Sequence, residues 1–227
     1  MNGDLKFFGS RASHHHAEFI NFLIAKFNYK SYLEIGVFQG HTWNQVQCEK
    51  KHGIEPYAAW AAMEFVSDWV GQSFVAEVPH NFANFHITSD EFFLLLKDEF
   101  KYDLIYVDGD HTYDVSKRDV LNSIDHLSEN GIIVVDDVNP PDGEEEELEP
   151  WKPWIELRCE RDDLSMATVK TGLSSWPCLG IIKFGSQEKL DKSKIDEYFS
   201  IEYFRKNKKM LLNMLDYEQL NNFLSGE

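Results

Sequence analysis

The alternation of apolar and polar positions divides the chain into short strands and amphipathic helices. Between His15 and Phe27 the apolar residues Ala17, Phe19, Ile20, Leu23, Ile24 and Phe27 recur at helical spacing, which predicts a helix with one buried face and Ser13 as its N-cap. The run Tyr32–Val37 reads as a buried parallel strand, Gly36–Gly40 as a turn and Thr42–Lys51 as the next helix. A strand is expected around Gly53–Glu55, stopped by Pro56. A Trp-rich helix is expected over residues 57–80, a third strand over Asn84–Thr88 and a helix from Asp90 to Phe100. Asp103–Asp108 (DLIYVD) and Ile132–Asp136 are apolar runs of the kind that sheets bury on both faces. Between them a helix over Asp114–Leu127 carries Val115, Val120, Leu121 and Ile124 on one side, and Asn130–Gly131 reads as a turn.

After Asp137 the pattern changes. Residues 139–153 hold four prolines and the acidic run Glu144–Glu147, which read as a solvated loop. Trp154–Glu160 looks helical. Ser165–Lys170 and Cys178–Phe184 look like an antiparallel pair at a sheet edge. The chain from Gln187 onward is expected to be helical, with Leu211, Leu212, Met214, Leu215 and Leu220 able to pack on the body. Alternating strands and helices imply a parallel sheet with right-handed crossovers. The expected architecture is a single α/β domain over residues 1–227, a Rossmann-like three-layer α/β/α sandwich. Its sheet is mostly parallel and seven-stranded with an antiparallel edge hairpin; residues 1–30 are a helical lead-in and residues 187–227 a helical extension.

Composition narrows the partners. The 22 basic and 39 acidic residues give a net charge of −17, a field that repels phosphate backbones and anionic lipid. Nucleic acid and membrane are therefore poor expectations, and small neutral or cationic molecules better ones. Cys48, Cys159 and Cys178 match no metal or CxxC spacing and read as reduced thiols. With no targeting or membrane-length apolar run, the cytoplasm is the default compartment. The oligomeric state is open, a homo-oligomer included.

The candidate chemistry lies at the ends of the strands. Glu34-Ile-Gly36-Val-Phe-Gln-Gly40 places two glycines four apart at the end of the first strand, where open α/β sheets bind their ligands. It is not a dinucleotide fingerprint, because Phe38 stands where a small residue must let a pyrophosphate reach the backbone. A carboxylate at Glu34 opposes phosphate and suits an ammonium group. Glu55, 19 residues after Gly36, can accept from a ribose diol, and Ser89 or Asp90 can take the amino group of adenine. Taken alone, Glu55 also reads as a surface acid and Ser89-Asp90 as a helix cap. S-adenosylmethionine has an ammonium, a ribose and an adenine, and no phosphate.

The segment YLEIGVFQG resembles the first motif of class I methyltransferases. The longer set YLEIGV, GIEP, TSDEFF and YDLIYVDGDHTYDVSKRDVLNSIDHLSENGIIVVDD, followed by NP, resembles small-molecule methyltransferases related to the sugar and macrolide O-methyltransferases, from Tyr32 to Pro140. The resemblance implies a seven-stranded sheet and S-adenosylmethionine bound by Glu34, Gly36, Gly40, Glu55 and Asp90. This chain departs from the pattern in having Glu55 where Asp is more usual.

The strand DLIYVD ends in Asp108-Gly-Asp-His111-Thr-Tyr113. His111 is the candidate general base, with an ordinary pKa near neutrality; its alternative is a capping or core histidine. Asp108 is a candidate for the catalytic and cofactor sites alike. Asp108, Asp136 and Asp137 should meet at neighbouring strand ends and could hold magnesium or another divalent cation, a placement that resembles the metal site of catechol-type O-methyltransferases. The alternative is a hydrogen-bonded carboxylate network without metal. His14, His15 and His16 form a short cluster at a helix start. The expected activity is methyl transfer to a hydroxyl of a small acceptor, with a sugar the leading class. The rival readings are a non-catalytic binding module and an NAD-linked oxidoreductase.

Overall fold

The computed structural model describes residues 15–56, 82–170 and 178–226. The chain enters through α1 (His15–Phe27) and runs into three parallel strands: β1 (Ser31–Ile35), β2 (Lys50–Ile54) and β3 (Phe82–Phe85). α2 (Ser89–Leu95), β4 (Tyr102–Val107), α3 (Tyr113–Asp125) and β5 (Leu127–Val135) follow, then α4 (Trp151–Glu160), β6 (Leu164–Lys170) and β7 (Cys178–Phe184). The chain continues through a 3-10 turn, α5 (Ile195–Tyr198), α6 (Ile201–Leu211), β8 (Met214–Leu215) and α7 (Tyr217–Ser225).

These strands form one eight-stranded sheet in the order β3-β2-β1-β4-β5-β7-β6-β8. The first five are parallel, β7 runs antiparallel to both neighbours, and β8 pairs parallel with β6. The expected hairpin is therefore present but is not the edge: Met214 and Leu215 add an eighth strand where a helix was expected. The chain order reverses between β1 and β4, which opens the crevice beyond their carboxyl ends.

Strand side chains alternate between two cores. Leu33, Ile35, Ile105, Val107, Ile133 and Val135 pack with Phe92, Val120, Ile124 and Trp154 of α2, α3 and α4. Tyr32, Leu104, Tyr106, Ile132 and Val134 pack on the opposite face with α1 and α7, through residues such as Phe19, Ile20, Leu23 and Leu220. This is the expected three-layer arrangement. Among the described residues no helix is long and apolar enough to cross a membrane.

Several boundaries differ from the sequence reading, for visible reasons. Residues 42–48 are turns and coil, not helix. Trp43 and Val46 mimic helical spacing because both are buried under the end of β1, and Lys51 Nζ ties their carbonyls at 2.5 and 3.2 Å. β5 begins at Leu127, and Asn130–Gly131 lie within it at a bulge, where the register to β4 shifts between the Tyr102 and Leu104 pairings. α4 begins at Trp151, before Pro153, a position in the first helical turn where proline is tolerated. Ser13, the helix expected over residues 57–80 and the turn between β6 and β7 lie outside the described residues.

Candidate active site

The turn after β1 is built from backbone in the left-handed region. Gly36, Phe38 and Gly40 have φ of 86°, 46° and 75°. Gly36 is needed because a Cβ there would lie 1.9 Å from the carbonyl oxygen of Asp108, so the ends of β1 and β4 could not come together. The amides of this turn are engaged within the protein. Gly36 and Val37 donate to Ile54 O at 2.9 and 3.3 Å, Gly40 donates to Val37 O at 2.8 Å, and Phe38 donates to Glu55 Oε2 at 2.7 Å. A phosphate-binding nest needs such amides pointing at the ligand; here three of them tie the turn to the end of β2 and the Gly40 amide closes the turn on itself.

Each cofactor candidate has a definite place. Glu34 is 1% exposed and accepts a 2.6 Å hydrogen bond from the Tyr32 hydroxyl. Burial pushes its pKa up to about 8 against that bond. Glu55 is also buried, at the carboxyl end of β2, with its backbone N–H donating to Phe85 O. Asp90 is half exposed and accepts from Arg118 Nε with both oxygens, at 3.2 and 3.1 Å. The cap of α2 is Thr88, one residue earlier than read, in a reciprocal capping box with Glu91. Ser89 lies near the buried carboxylate of Asp119, which it helps hold in the charged form.

The reaction edge is a connected network. Asp108 N donates to Ile35 O and Asp136 N to Val107 O, both at 2.9 Å, so each acid is fixed by the strand beside it. Asp137 sits at φ 53°, a sharp turn off β5. His111 reaches both sides: its Nε2 is 3.5 Å from Asp108 Oδ1 and its Nδ1 is 3.1 Å from Asp137 Oδ2. The hydrogen bond to Asp108 raises its pKa to about 9, and Asp137 adds to the effect against burial. Burial, reinforced by the charge of Asp136, lifts Asp108 to about 6 and Asp137 to about 7.

Beneath this pair the Tyr106 hydroxyl lies 3.1 Å from Asp108 Oδ2 and 3.0 Å from Asp136 Oδ2. The hydroxyl has one proton to donate, so the two carboxylates compete for it. His16 joins the network from α1, with Nδ1 3.1 Å from the Tyr106 hydroxyl and 3.6 Å from Asp136 Oδ2. Sequence reasoning gave His16 only as part of a histidine cluster, and its contact with Tyr106 spans 90 residues. The signal was its position at the start of a helix that had to cover the sheet.

The expected metal triad does not form. Asp108 and Asp137 face the His111 imidazole from opposite sides while Asp136 faces Tyr106 and His16. Among the described residues no group of three acidic, histidine or cysteine side chains is placed to hold a metal ion. The three acids do lie at neighbouring strand ends, with the His111 imidazole and the Tyr106 hydroxyl among them.

A sheet of this order with a glycine turn flanked by acidic residues at its switch point is the arrangement of the class I methyltransferase fold. The comparisons agree. Residues 33–138 match the family model described as a methyltransferase domain. No curated protein sequence matches the chain. Among solved structures, the O-methyltransferase TomG from Streptomyces achromogenes, involved in tomaymycin synthesis and in complex with SAM, is similar at 16% identity and TM-score 0.56, covering 78% of this chain and 82% of that one. The O-methyltransferase from Bacillus cereus in complex with SAH is similar at 14% identity and TM-score 0.55, covering 76% and 80%. The SAH-bound Podospora anserina methyltransferase is similar at 16% identity and TM-score 0.53, covering 78% and 80%. Residues 33–138 are thus similar to a methyltransferase domain, and the chain shares the fold of these O-methyltransferases.

Proposed function

We propose that the chain acts as a single-domain O-methyltransferase that binds S-adenosylmethionine at the carboxyl ends of β1, β2 and β4 and methylates a hydroxyl of a small acceptor, with a sugar the leading class. The observation that carries the reading is the turn after β1: its amides are consumed internally and Glu34, Glu55 and Asp108 surround it. Such a site repels a dinucleotide pyrophosphate and accepts a cationic ligand without phosphate. Gly36 and Gly40 shape the turn, Glu55 stands at the ribose position, and Ser89 and Asp90 mark the adenine end. Glu34, bonded to Tyr32 beneath the turn and with its pKa raised to about 8, ionises when a cationic ligand binds beside it.

S-adenosylmethionine supplies a methyl group on a sulfonium that leaves as a neutral thioether. The protein's part is to align the acceptor and to remove its proton. His111 is the base in this reading: Nε2, whose contact to Asp108 is the longer at 3.5 Å, turns to the incoming hydroxyl and takes its proton, while Asp137, 3.1 Å from Nδ1, orients the ring and stabilises the imidazolium that forms. With its pKa raised to about 9 by the flanking carboxylates, His111 is the cation at pH 7, and the working state needs it neutral. A sulfonium nearby opposes the imidazolium charge and moves its midpoint down towards neutrality. The free thiols of Cys48 and Cys159 suit a reducing compartment such as the cytoplasm.

The test is release of S-adenosylhomocysteine from S-adenosylmethionine against a panel of sugars, phenols and carboxylic acids. The reading predicts product with hydroxylated acceptors. Cofactor binding with no product from any of them would favour a non-catalytic binding module.

A further inference from the structure

The acidic loop between β5 and α4 was expected to be solvated; it is a braced platform. Glu145 is 1% exposed, and its two oxygens accept from Arg205 Nε and Nη2 at 2.5 and 2.8 Å. The Gly143 N–H donates to the same carboxylate at 2.7 Å, and the Trp151 indole donates to the Glu145 carbonyl at 3.0 Å. Lys208, also on α6, donates to Pro140 O at 2.9 Å and to Asp142 Oδ1 at 2.8 Å. The C-terminal extension thus holds the loop at several points along its length.

The loop ends at Glu149, which grips the DGDH turn on both sides of Thr112. Its N–H donates to the His111 carbonyl at 2.9 Å, and its Oε2 accepts from the Tyr113 N–H at 2.8 Å. Lys152 donates to Oε1 at 2.5 Å and fixes the side chain. The N-cap of α3 is Thr112, whose side chain makes no capping bond. Glu149 therefore supplies from a distant loop the capping acceptor that the helix lacks, and in doing so pins the main chain that carries His111.

We propose that Glu149 is a positioning residue for His111, acting through the main chain of the reaction turn from a loop anchored by Arg205. The inference rests on the reading of His111 as the base. A displacement of about 1 Å at such a group is worth on the order of a hundredfold in rate, so an otherwise solvent-directed acid becomes part of the reaction geometry.

The experiment follows the His111 ring resonances in histidine-labelled protein, assigned by their loss in His111→Gln. In Glu149→Ala the turn loosens, the contacts to Asp108 and Asp137 lengthen, and the His111 titration midpoint falls by about one pH unit towards that of free imidazole. The other histidine resonances and the affinity for S-adenosylhomocysteine stay as in wild type. Glu149→Gln keeps an oxygen acceptor for Tyr113 and restores most of the wild-type midpoint. Unchanged His111 resonances in Glu149→Ala would overturn the proposal, as would equal shifts at every histidine, which mark general loosening. If wild-type protein fails to bind S-adenosylhomocysteine, the methyltransferase reading fails, and the hold of Glu149 on His111 is still measured by the same resonances.

Discussion

The Nδ1 atom of His111 lies 3.1 Å from Oδ2 of Asp137, joining the turn after β4 to the end of β5. With Asp108 on the other ring nitrogen, the imidazole is oriented from both sides. Its pKa near 9 sets the expected rate profile. The kcat/KM for methyl transfer, which reports the free enzyme, rises from pH 7 and levels off above about 9 where His111 is neutral. His111→Ala lowers turnover by about 10²–10⁴-fold and leaves a flat profile. The same shift acts on stability with a fixed sign: the folded state favours the protonated ring, so the contribution is full below 6.5 and is lost as pH rises through about 9. A turnover profile that falls between pH 7 and 9 would remove His111 from the base role.

Asp119 gives a second pH signature. It is 1% exposed beneath Gly109, and burial raises its pKa from 3.8 to about 6. A raised carboxylate pKa means the folded state disfavours the charge. The penalty is absent below 3.8, grows as pH rises, and is complete above 6. Asp119→Asn should therefore stabilise the protein by about 1–2 kcal/mol at pH 7 and have little effect at pH 3.5, read by denaturant unfolding at the two values.

Arg205 should matter for stability more than an exposed arginine does. Its loss leaves the buried Glu145 carboxylate without its cation. Arg205→Met should lower the stability measurably at pH 7. Arg205 holds the Glu145 pKa down to about 2, so this contribution is present above 4.5 and is lost as pH falls towards 2. A difference between wild type and variant that stays constant from pH 7 to pH 3 would contradict the assignment.

Gly36 should tolerate nothing larger. Its φ of 86° and the 1.9 Å approach of the Asp108 carbonyl act together. Gly36→Ala is expected to destabilise by more than about 3 kcal/mol and to abolish cofactor binding with it. A soluble, cofactor-binding Gly36→Ala protein would show that β1 and β4 are not as close as described.

What the sequence revealed depended on how local the signal was. The continuous apolar runs of β1, β4 and β5 and the glycine turn after β1 were legible because burial on both faces leaves no polar positions. That Asp108, Asp136 and Asp137 would meet at neighbouring strand ends followed from strand order alone. Trp43 and Val46 misled because an apolar turn lying on a sheet can share the spacing of a helix. β8 was invisible because Met214 and Leu215 are a strand only by virtue of Thr168 and Val169 beside them. Glu145 could not be told from its three acidic neighbours, since its burial depends on Arg205 sixty residues away. Nor could the ionic state of the site be read, because whether three acids take a metal or a histidine depends on where His111 and Tyr106 lie.

The most direct test of the account is a calorimetric titration of the purified chain with S-adenosylhomocysteine, set beside NAD under the same conditions. The account predicts binding of S-adenosylhomocysteine in about the micromolar range, at least about tenfold weaker in Glu55→Ala, and no heat from NAD. Binding of NAD with no binding of S-adenosylhomocysteine would contradict it, because the turn after β1 would then be accepting the phosphates that its spent amides and surrounding carboxylates are built to refuse.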